Sequence, residues 1–436
     1  MKVLLINSVC GIGSTGRICT DLAQQFEAAG DEVKIAYGRK GTVPEQFQKY
    51  AVRIGTDLDC KMHAIQTRLF DTHGFGSKHA TKKFLQWAEE YKPDLLWLHN
   101  IHGYYINVEM LFDWIKKHPE MQVKWTLHDC WAFTGHCSYC SQLRRYPACY
   151  AMSSVRRNFA RKRAAFTRVP NLTLITPSKW LADLVKQSFL KDYPVEVHYN
   201  TIDTTIFKPT PGDFRERYGL QDKIIVLGVA NVWEVRKGLF DFYKLAEMLD
   251  DRYAIVLVGL SEKQIEDLPK SIKGIQRTNS PQELTAIYTA ADVFVNPSVE
   301  ETFGMTPIEA QACGTPSIVY EDTACAEAAE QTGNKVVPQD VNALYEAITG
   351  EKFMLGGIKH SKMRGCMIVA IPRTNSPQEL AEIYTAANIF ANPTYEDNYP
   401  TVNLEAQACG TKVVTYDTGG CRETLISSLL GQTAFQ

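Results

Sequence analysis

The chain has 436 residues, 45% of them hydrophobic and 22% charged, long enough for two or three domains with cores of their own. A formal net charge of −2 gives no global field that would recruit nucleic acid, so any anionic partner has to be met by local groups. The opening MKVLLINSV is too short an apolar run for a signal peptide and no later stretch approaches ~18 consecutive apolar residues, which reads as a soluble cytoplasmic chain whose 12 cysteines are reduced thiols rather than a disulfide framework.

In chain order, residues 3–9 read as a strand and 18–29 as a helix, joined by GIGSTGR, in which Gly11, Gly13 and Gly16 have the G-x-G-x-x-G spacing of a dinucleotide-binding turn. Such a site needs an acid after the second strand, EVKIAYG; Arg39 and Lys40 stand there instead, which cannot accept from a ribose 2′-hydroxyl but suit a 2′-phosphate. An NADP-dependent oxidoreductase stays open as an alternative, beside the reading that the glycines mark any close strand-to-helix turn. The tripeptide Asp57, Leu58, Asp59 reads as a helix-capping loop. The runs LLWLHN, VKWTLHD, LTLITPS and VEVHYN continue as strands buried on both faces, giving a parallel α/β domain over residues 1–205. Within it, Cys137 and Cys140, with His128, Cys130, His136 and Cys149 nearby, could assemble a zinc site or remain reduced thiols. The stretch VRRNFARKRAAF reads either as a solvated helix face or as a patch for anionic lipid or a lipid-diphosphate acceptor.

After the linker TTIFKPTPGDF, the strands IIVLGVA, YAIVLVGL, DVFVNPS and PSIVY mark a second α/β domain over residues 206–350. The expected architecture is therefore two Rossmann-like parallel-sheet domains facing across a cleft between their carboxyl-terminal strand edges. In NVWEVRKGL, Arg236 and Lys237 stand at the turn after the first strand of this domain. In EETFGMTPIEAQACG, Glu301 and Glu309 are eight positions apart, and Thr306, Pro307 and Glu309 fit N-cap, N1 and N3 of a helix. That spacing allows a capping box worth about 1 kcal/mol with no ligand at all, or a helix end whose free amides hold a phosphate. With Arg236 and Lys237 opposite, the second option becomes a cation clamp on a diphosphate. Finally, IQRTNSPQELTAIYTAADVFVNP from Ile275 returns as IPRTNSPQELAEIYTAANIFANP from Ile371. Residues 351–436 thus read as a partial repeat of the second domain, with Asp397 and Glu405 in the acidic positions, no counterpart of IIVLGVANVWEVRKGL, and hence no complete sheet of its own.

RKG followed by Glu-x7-Glu and EAQACGTP, with NTIDTTIFKP at the linker and TLHDCWAFTGHC in the first domain, resembles the group 1 retaining glycosyltransferases of the GT-B fold, bacterial capsule and exopolysaccharide enzymes in particular. The resemblance covers about residues 1–350. It implies that Lys237 with Arg236 holds the diphosphate of a nucleotide-sugar donor, that Glu309 bonds the ribose, and that Glu301 and the backbone of Phe303, Gly304 and Met305 hold the sugar. It further implies that His128 lines the catalytic face, and that Gly13, Gly16 and His99 wall the acceptor and phosphate. It implies no metal and no cofactor beyond the donor, an acceptor that is a glycan or a lipid-diphosphate-linked saccharide, and peripheral contact with an anionic membrane. A non-catalytic nucleotide-sugar-binding protein is the remaining alternative. The sequence departs from the family at Asn231, where many relatives carry an Arg, and at Thr201, where the linker usually has Gly.

Overall fold

The computed structural model describes residues 1–39, 41–139, 154–332, 335–350, 376–386, 389–392, 401–415, 424 and 431–433. The chain forms two compact units, Met1–Cys366 and Met367–Gln436.

The first unit holds two parallel sheets. One contains β1 (Lys2–Asn7), β2 (Glu32–Tyr37), β3 (Ala51–Arg53), β4 (Leu95–Leu98), β5 (Gln122–Thr126), β6 (Leu172–Thr176) and β7 (Val195–Val197), in the order β3-β2-β1-β4-β5-β6-β7. The other contains β8 (Ile224–Val229), β9 (Tyr253–Val258), β10 (Ile272–Ile275), β11 (Val293–Asn296), β12 (Ser317–Tyr320) and β13 (Lys335–Val337), in the order β10-β9-β8-β11-β12-β13. The central strands are apolar end to end because helices cover both faces of each sheet: Val3, Leu4, Leu5 and Ile6 in β1 and Ile225, Val226 and Leu227 in β8 are fully buried. In each sheet the strand order reverses once, between β1 and β4 and between β8 and β11, and ligands of open α/β sheets bind beyond the carboxyl ends at such reversals.

The second unit, described by itself, is a three-stranded parallel sheet of β14 (Ile389–Asn392), β15 (Lys412–Thr415) and β16 (Gly431–Thr433) with helices Pro377–Ala386 and Thr401–Ala408. These elements follow the order of helix Pro281–Ala290, β11, helix Met305–Ala312 and β12 at the spacing of the sequence repeat. A tyrosine–glutamate hydrogen bond recurs too, Tyr288 to Glu309 in one and Tyr384 to Glu405 in the other. Among the described residues, nothing in this unit corresponds to β8, β9 or β10.

Several local expectations change. The first helix is Gly13–Ala28, beginning inside the glycine turn. Asp57 and Asp59 lie in the first turn of helix Asp57–Phe70, where Thr56 and Asp59 form a reciprocal capping box. The basic stretch forms helix Val155–Phe166, but it is not one basic face. Lys162 is fully buried, its ammonium donating to the carbonyls of Trp131 (2.7 Å) and Thr134 (3.1 Å), and Arg161 is held bidentate by Glu109. Among the described residues no helix is long and apolar enough to cross a membrane.

Candidate active site

The loop after β11 and the turn after β8 place the clamp. Gly304 takes φ 86°, and a Cβ there would lie 2.3 Å from the Cys325 sulfur, so glycine alone lets this loop turn into helix Met305–Ala312. The helix therefore starts with Gly304 as its N-cap and Met305 as its first residue, with no side chain capping it. The capping box expected from Thr306 and Glu309 is not formed, because with Gly304 as N-cap Glu309 falls two positions past N3. The first-turn amides thus have no side-chain cap, at the positive end of the helix.

Glu309 instead turns inward and accepts a hydrogen bond from the buried Tyr288 hydroxyl at 2.9 Å. Burial raises its pKa, and the tyrosine partly offsets that. One carboxylate oxygen is thus fixed and the other stays available. On the opposite side, Lys237 contacts the Glu301 carboxylate directly and Arg236 lies 3.7 Å from it, the three side chains only 13–20% exposed. Arg236 also donates to the Glu300 carbonyl at 3.2 Å and stacks over Tyr139 at 3.9 Å. Glu301 therefore faces the two cations that the sequence assigns to the diphosphate, and Arg236 is also paired with Glu234 at 3.1 Å.

The first domain meets this loop through backbone. Thr302 donates to the His128 carbonyl (3.0 Å) and Ser178 donates to the Thr302 carbonyl (2.8 Å). Phe303 is buried and its ring approaches Tyr199. Glu327, on helix Ala324–Thr332, accepts from the amides of Lys179 and Trp180 and from the Tyr199 hydroxyl, tying the two domains a second time.

The His128 ring, expected on the catalytic face, is stacked on His99, with its Nε2 3.2 Å from His99 Nδ1. Burial pushes its pKa down to about 4, so it is neutral near pH 7. His99, expected to wall the acceptor, lies one row behind His128 at 2% exposure, on the floor of a pocket shared with Asn100, His102, Asp129 and Trp131. The glycine turn also needs a different account. A Cβ at Gly16 would sit 3.1 Å from Val9, and one at Gly11 2.9 Å from Phe47 and Pro44, so internal packing explains both. Gly13 alone (φ 66°) has open space before it. For the NADP alternative, Lys40 lies outside the described residues.

Sequence reasoning passed over a pair in that pocket. His102 Nε2 is 2.9 Å from Asp129 Oδ2, both partly exposed, and Asp129 is held in turn by the Trp131 amide. The carboxylate orients the His102 ring through Nε2. The signal was present as an Asp directly after His128, but nothing in the sequence connected it to His102. Cys140 and Cys149 of the zinc alternative, and Asp397 of the second acidic pattern, lie outside the described residues; among those described, no cluster of metal-ligating side chains occurs.

Comparison with known proteins finds group 1 glycosyltransferase domains in the chain. Two family profiles, each described as "Glycosyl transferases group 1", match residues 223–350 and 367–431. The alpha-galactosylglucosyldiacylglycerol synthase of Streptococcus pneumoniae is 29% identical over 171 residues, 36% of this chain and 45% of that protein. The chain spans half or less of the length of the curated relatives it matches. Among solved structures, sucrose-phosphate synthase from Thermosynechococcus elongatus superposes with a TM-score of 0.60 at 18% identity, covering 81% of this chain and 90% of that one. Anabaena HepE in complex with UDP-glucose gives 0.52 at 17% identity, covering 80% and 88%. The chain thus carries group 1 glycosyltransferase domains over residues 223–350 and 367–431, and its first unit has the two-sheet fold of GT-B glycosyltransferases.

Proposed function

We propose that the protein transfers a hexose from a nucleotide-diphosphate sugar to a glycan or lipid-linked saccharide in surface polysaccharide or glycolipid synthesis, with retention of the donor's anomeric configuration. The observation that carries this reading is the pair Lys237 and Arg236 facing the Glu301 carboxylate, on the loop that leads into the uncapped start of helix Met305–Ala312. A departing nucleoside diphosphate gathers negative charge there, and these groups stabilise it without reorganising. Glu309, pinned by Tyr288, offers its second oxygen to the ribose, while Glu301 moves from the cations to sugar hydroxyls when the diphosphate takes its place. Both carboxylates then serve the donor, so neither is free to act as a base behind the sugar, and the leaving phosphate takes the acceptor proton on the same face. The lipid named in the pneumococcal relative and the UDP-glucose bound to HepE support the donor and acceptor classes. The unit Met367–Gln436 we read as a partial duplication of the donor domain that lacks a clamp of its own.

A thermal-shift series with UDP, GDP, ADP and their sugars identifies the donor, since a ligand at ~100 times its Kd adds about 2.7 kcal/mol. NMR of the first-formed product then reads the anomeric configuration. Inversion refutes the retaining mechanism, and binding without turnover refutes the transferase reading.

A further inference from the structure

The turn that follows β5 is pinned along its length. Asp129 accepts from the Trp131 amide at 2.9 Å, the Cys130 amide donates to the Ser138 carbonyl at 2.8 Å, and the Thr134 hydroxyl donates to the Cys137 carbonyl. Behind it, the fully buried Lys162 ammonium donates to the carbonyls of Trp131 and Thr134 and lies 3.5 Å from the centre of the Trp131 ring. A buried ammonium that lost these carbonyls would be left unpaired, so the turn from Cys130 to Ser138 is fixed rather than adaptable. Tyr139 is the residue it presents next.

Tyr139 belongs to the first domain, yet its ring covers a cation of the second. The Arg236 guanidinium carbon lies 3.9 Å from the ring centre, and the charges that bear on the Tyr139 hydroxyl are those of Arg236, Glu301 and Asp129. Arg236 has rival anchors: the half-exposed Glu234 holds its Nε at 3.1 Å, while the Glu300 carbonyl and the Glu301 carboxylate hold it toward the cleft. These partners engage the edge of the guanidinium, where its N–H groups point, and leave its face to the ring. A cation over an aromatic face is held more firmly where water is kept away, as here with Arg236 at 15% exposure.

We infer that Tyr139 is a positioning residue for the donor site: its ring, presented by the pinned turn of the first domain, holds Arg236 in the orientation that meets the diphosphate. This rests on the donor reading of Arg236 and Lys237 and makes their clamp a composite of both domains. When Glu301 leaves the cations, the ring still occupies the guanidinium face and leaves its N–H edge to phosphate oxygens. Without the ring, Glu234 draws the side chain toward solvent. Tyr139 acts through Arg236 and not on the donor itself.

The test is calorimetry of the full chain with UDP, GDP and ADP, applied to a double-variant cycle. For the diphosphate that wild type binds, Tyr139→Leu should weaken affinity roughly 5- to 30-fold, whereas Tyr139→Phe, which keeps an aromatic face, should stay within about 3-fold of wild type. In an Arg236→Gln background Tyr139→Leu should have no further effect, because the group it positions is gone; in a Glu309→Gln background it should weaken affinity by the same factor as in wild type. A merely structural role would lower affinity in both backgrounds alike. That result, a Tyr139→Phe variant as weak as Tyr139→Leu, or a Tyr139→Leu variant that binds as wild type would each overturn the inference. A wild type that binds none of the three diphosphates overturns it together with the donor reading. Binding without turnover of the corresponding sugars refutes the transferase reading alone, since the cycle is then still measured and decides the role of Tyr139.

Discussion

Replacing Glu301 by Gln removes the carboxylate that Lys237 and Arg236 share, while Glu234 stays paired with Arg236. At 3.7 Å from Arg236 and in direct contact with Lys237, the carboxylate competes with any incoming diphosphate. Two unit charges at this separation, with an effective dielectric near 20, attract by about 4 kcal/mol. Most of that is returned when the freed cations and the displaced carboxylate exchange protein contacts for water, which leaves a net advantage to the variant of about 1–2 kcal/mol. Free nucleoside diphosphate should therefore bind Glu301→Gln roughly 5- to 30-fold more tightly than wild type. The sugar-bearing donor should behave oppositely, because a hydrogen bond from a sugar hydroxyl to a charged acceptor is lost, and kcat/KM should fall roughly 10- to 100-fold. Isothermal calorimetry with the diphosphate that wild type binds, followed by turnover with its sugar, measures both. Unchanged or weaker diphosphate binding by Glu301→Gln would refute the view that this side chain exchanges between cations and sugar.

Lys237→Ala should lower kcat/KM at least ~100-fold, about 2.7 kcal/mol, because its charge matters most as the diphosphate departs; a change confined to KM would count against that role. Glu309→Gln should cost nucleotide binding about 1.5–3 kcal/mol per ribose hydrogen bond, whereas Glu405→Gln should cost nothing measurable by calorimetry. Ribose hydroxyls need the ionised form of Glu309, and burial has raised its pKa, so affinity should fall with acidification before ordinary carboxylates titrate; Tyr288→Phe, which removes the offsetting hydrogen bond, should move that loss to higher pH. For His128, the folded pKa of about 4 lies below the ordinary 6.5, so its contribution to stability is present above 6.5 and lost as pH falls toward 4, and His128→Asn should flatten the denaturation profile in that window.

Central strands and the acidic loop were legible because each signal is local. β1, β8 and β11 announce themselves as apolar runs, and Arg236, Lys237, Glu301 and Glu309 lie within short motifs. The strands that went unread, β3, β10 and β13, are three or four residues long and sit at or near sheet edges, where too few side chains exist to set a period. The helix register at Gly304 was misjudged for a physical reason: Thr306 and Glu309 satisfy the capping pattern, but the glycine's positive φ starts the helix before them. Contacts that join distant segments, Thr302 to His128 and Glu327 to the amides of Lys179 and Trp180, leave no trace in spacing at all.

Helix Asp57–Phe70 shows where periodicity stops being informative. Leu58, Met62, Ile65 and Leu69 recur at the spacing that normally names the buried face, and hydrophobic pattern alone assigns them to a core. What decides the matter is the other face. His63 accepts from the Gly76 amide and its second nitrogen lies 2.9 Å from the Ser77 hydroxyl, a buried polar network that cannot be exchanged for solvent without leaving those groups unpaired. The helix is therefore fixed by its polar side, and the apolar stripe faces outward because the hydrogen bonds hold it there. A sequence reports that a stripe exists; which side of the molecule it faces depends on partners 10 and more residues away.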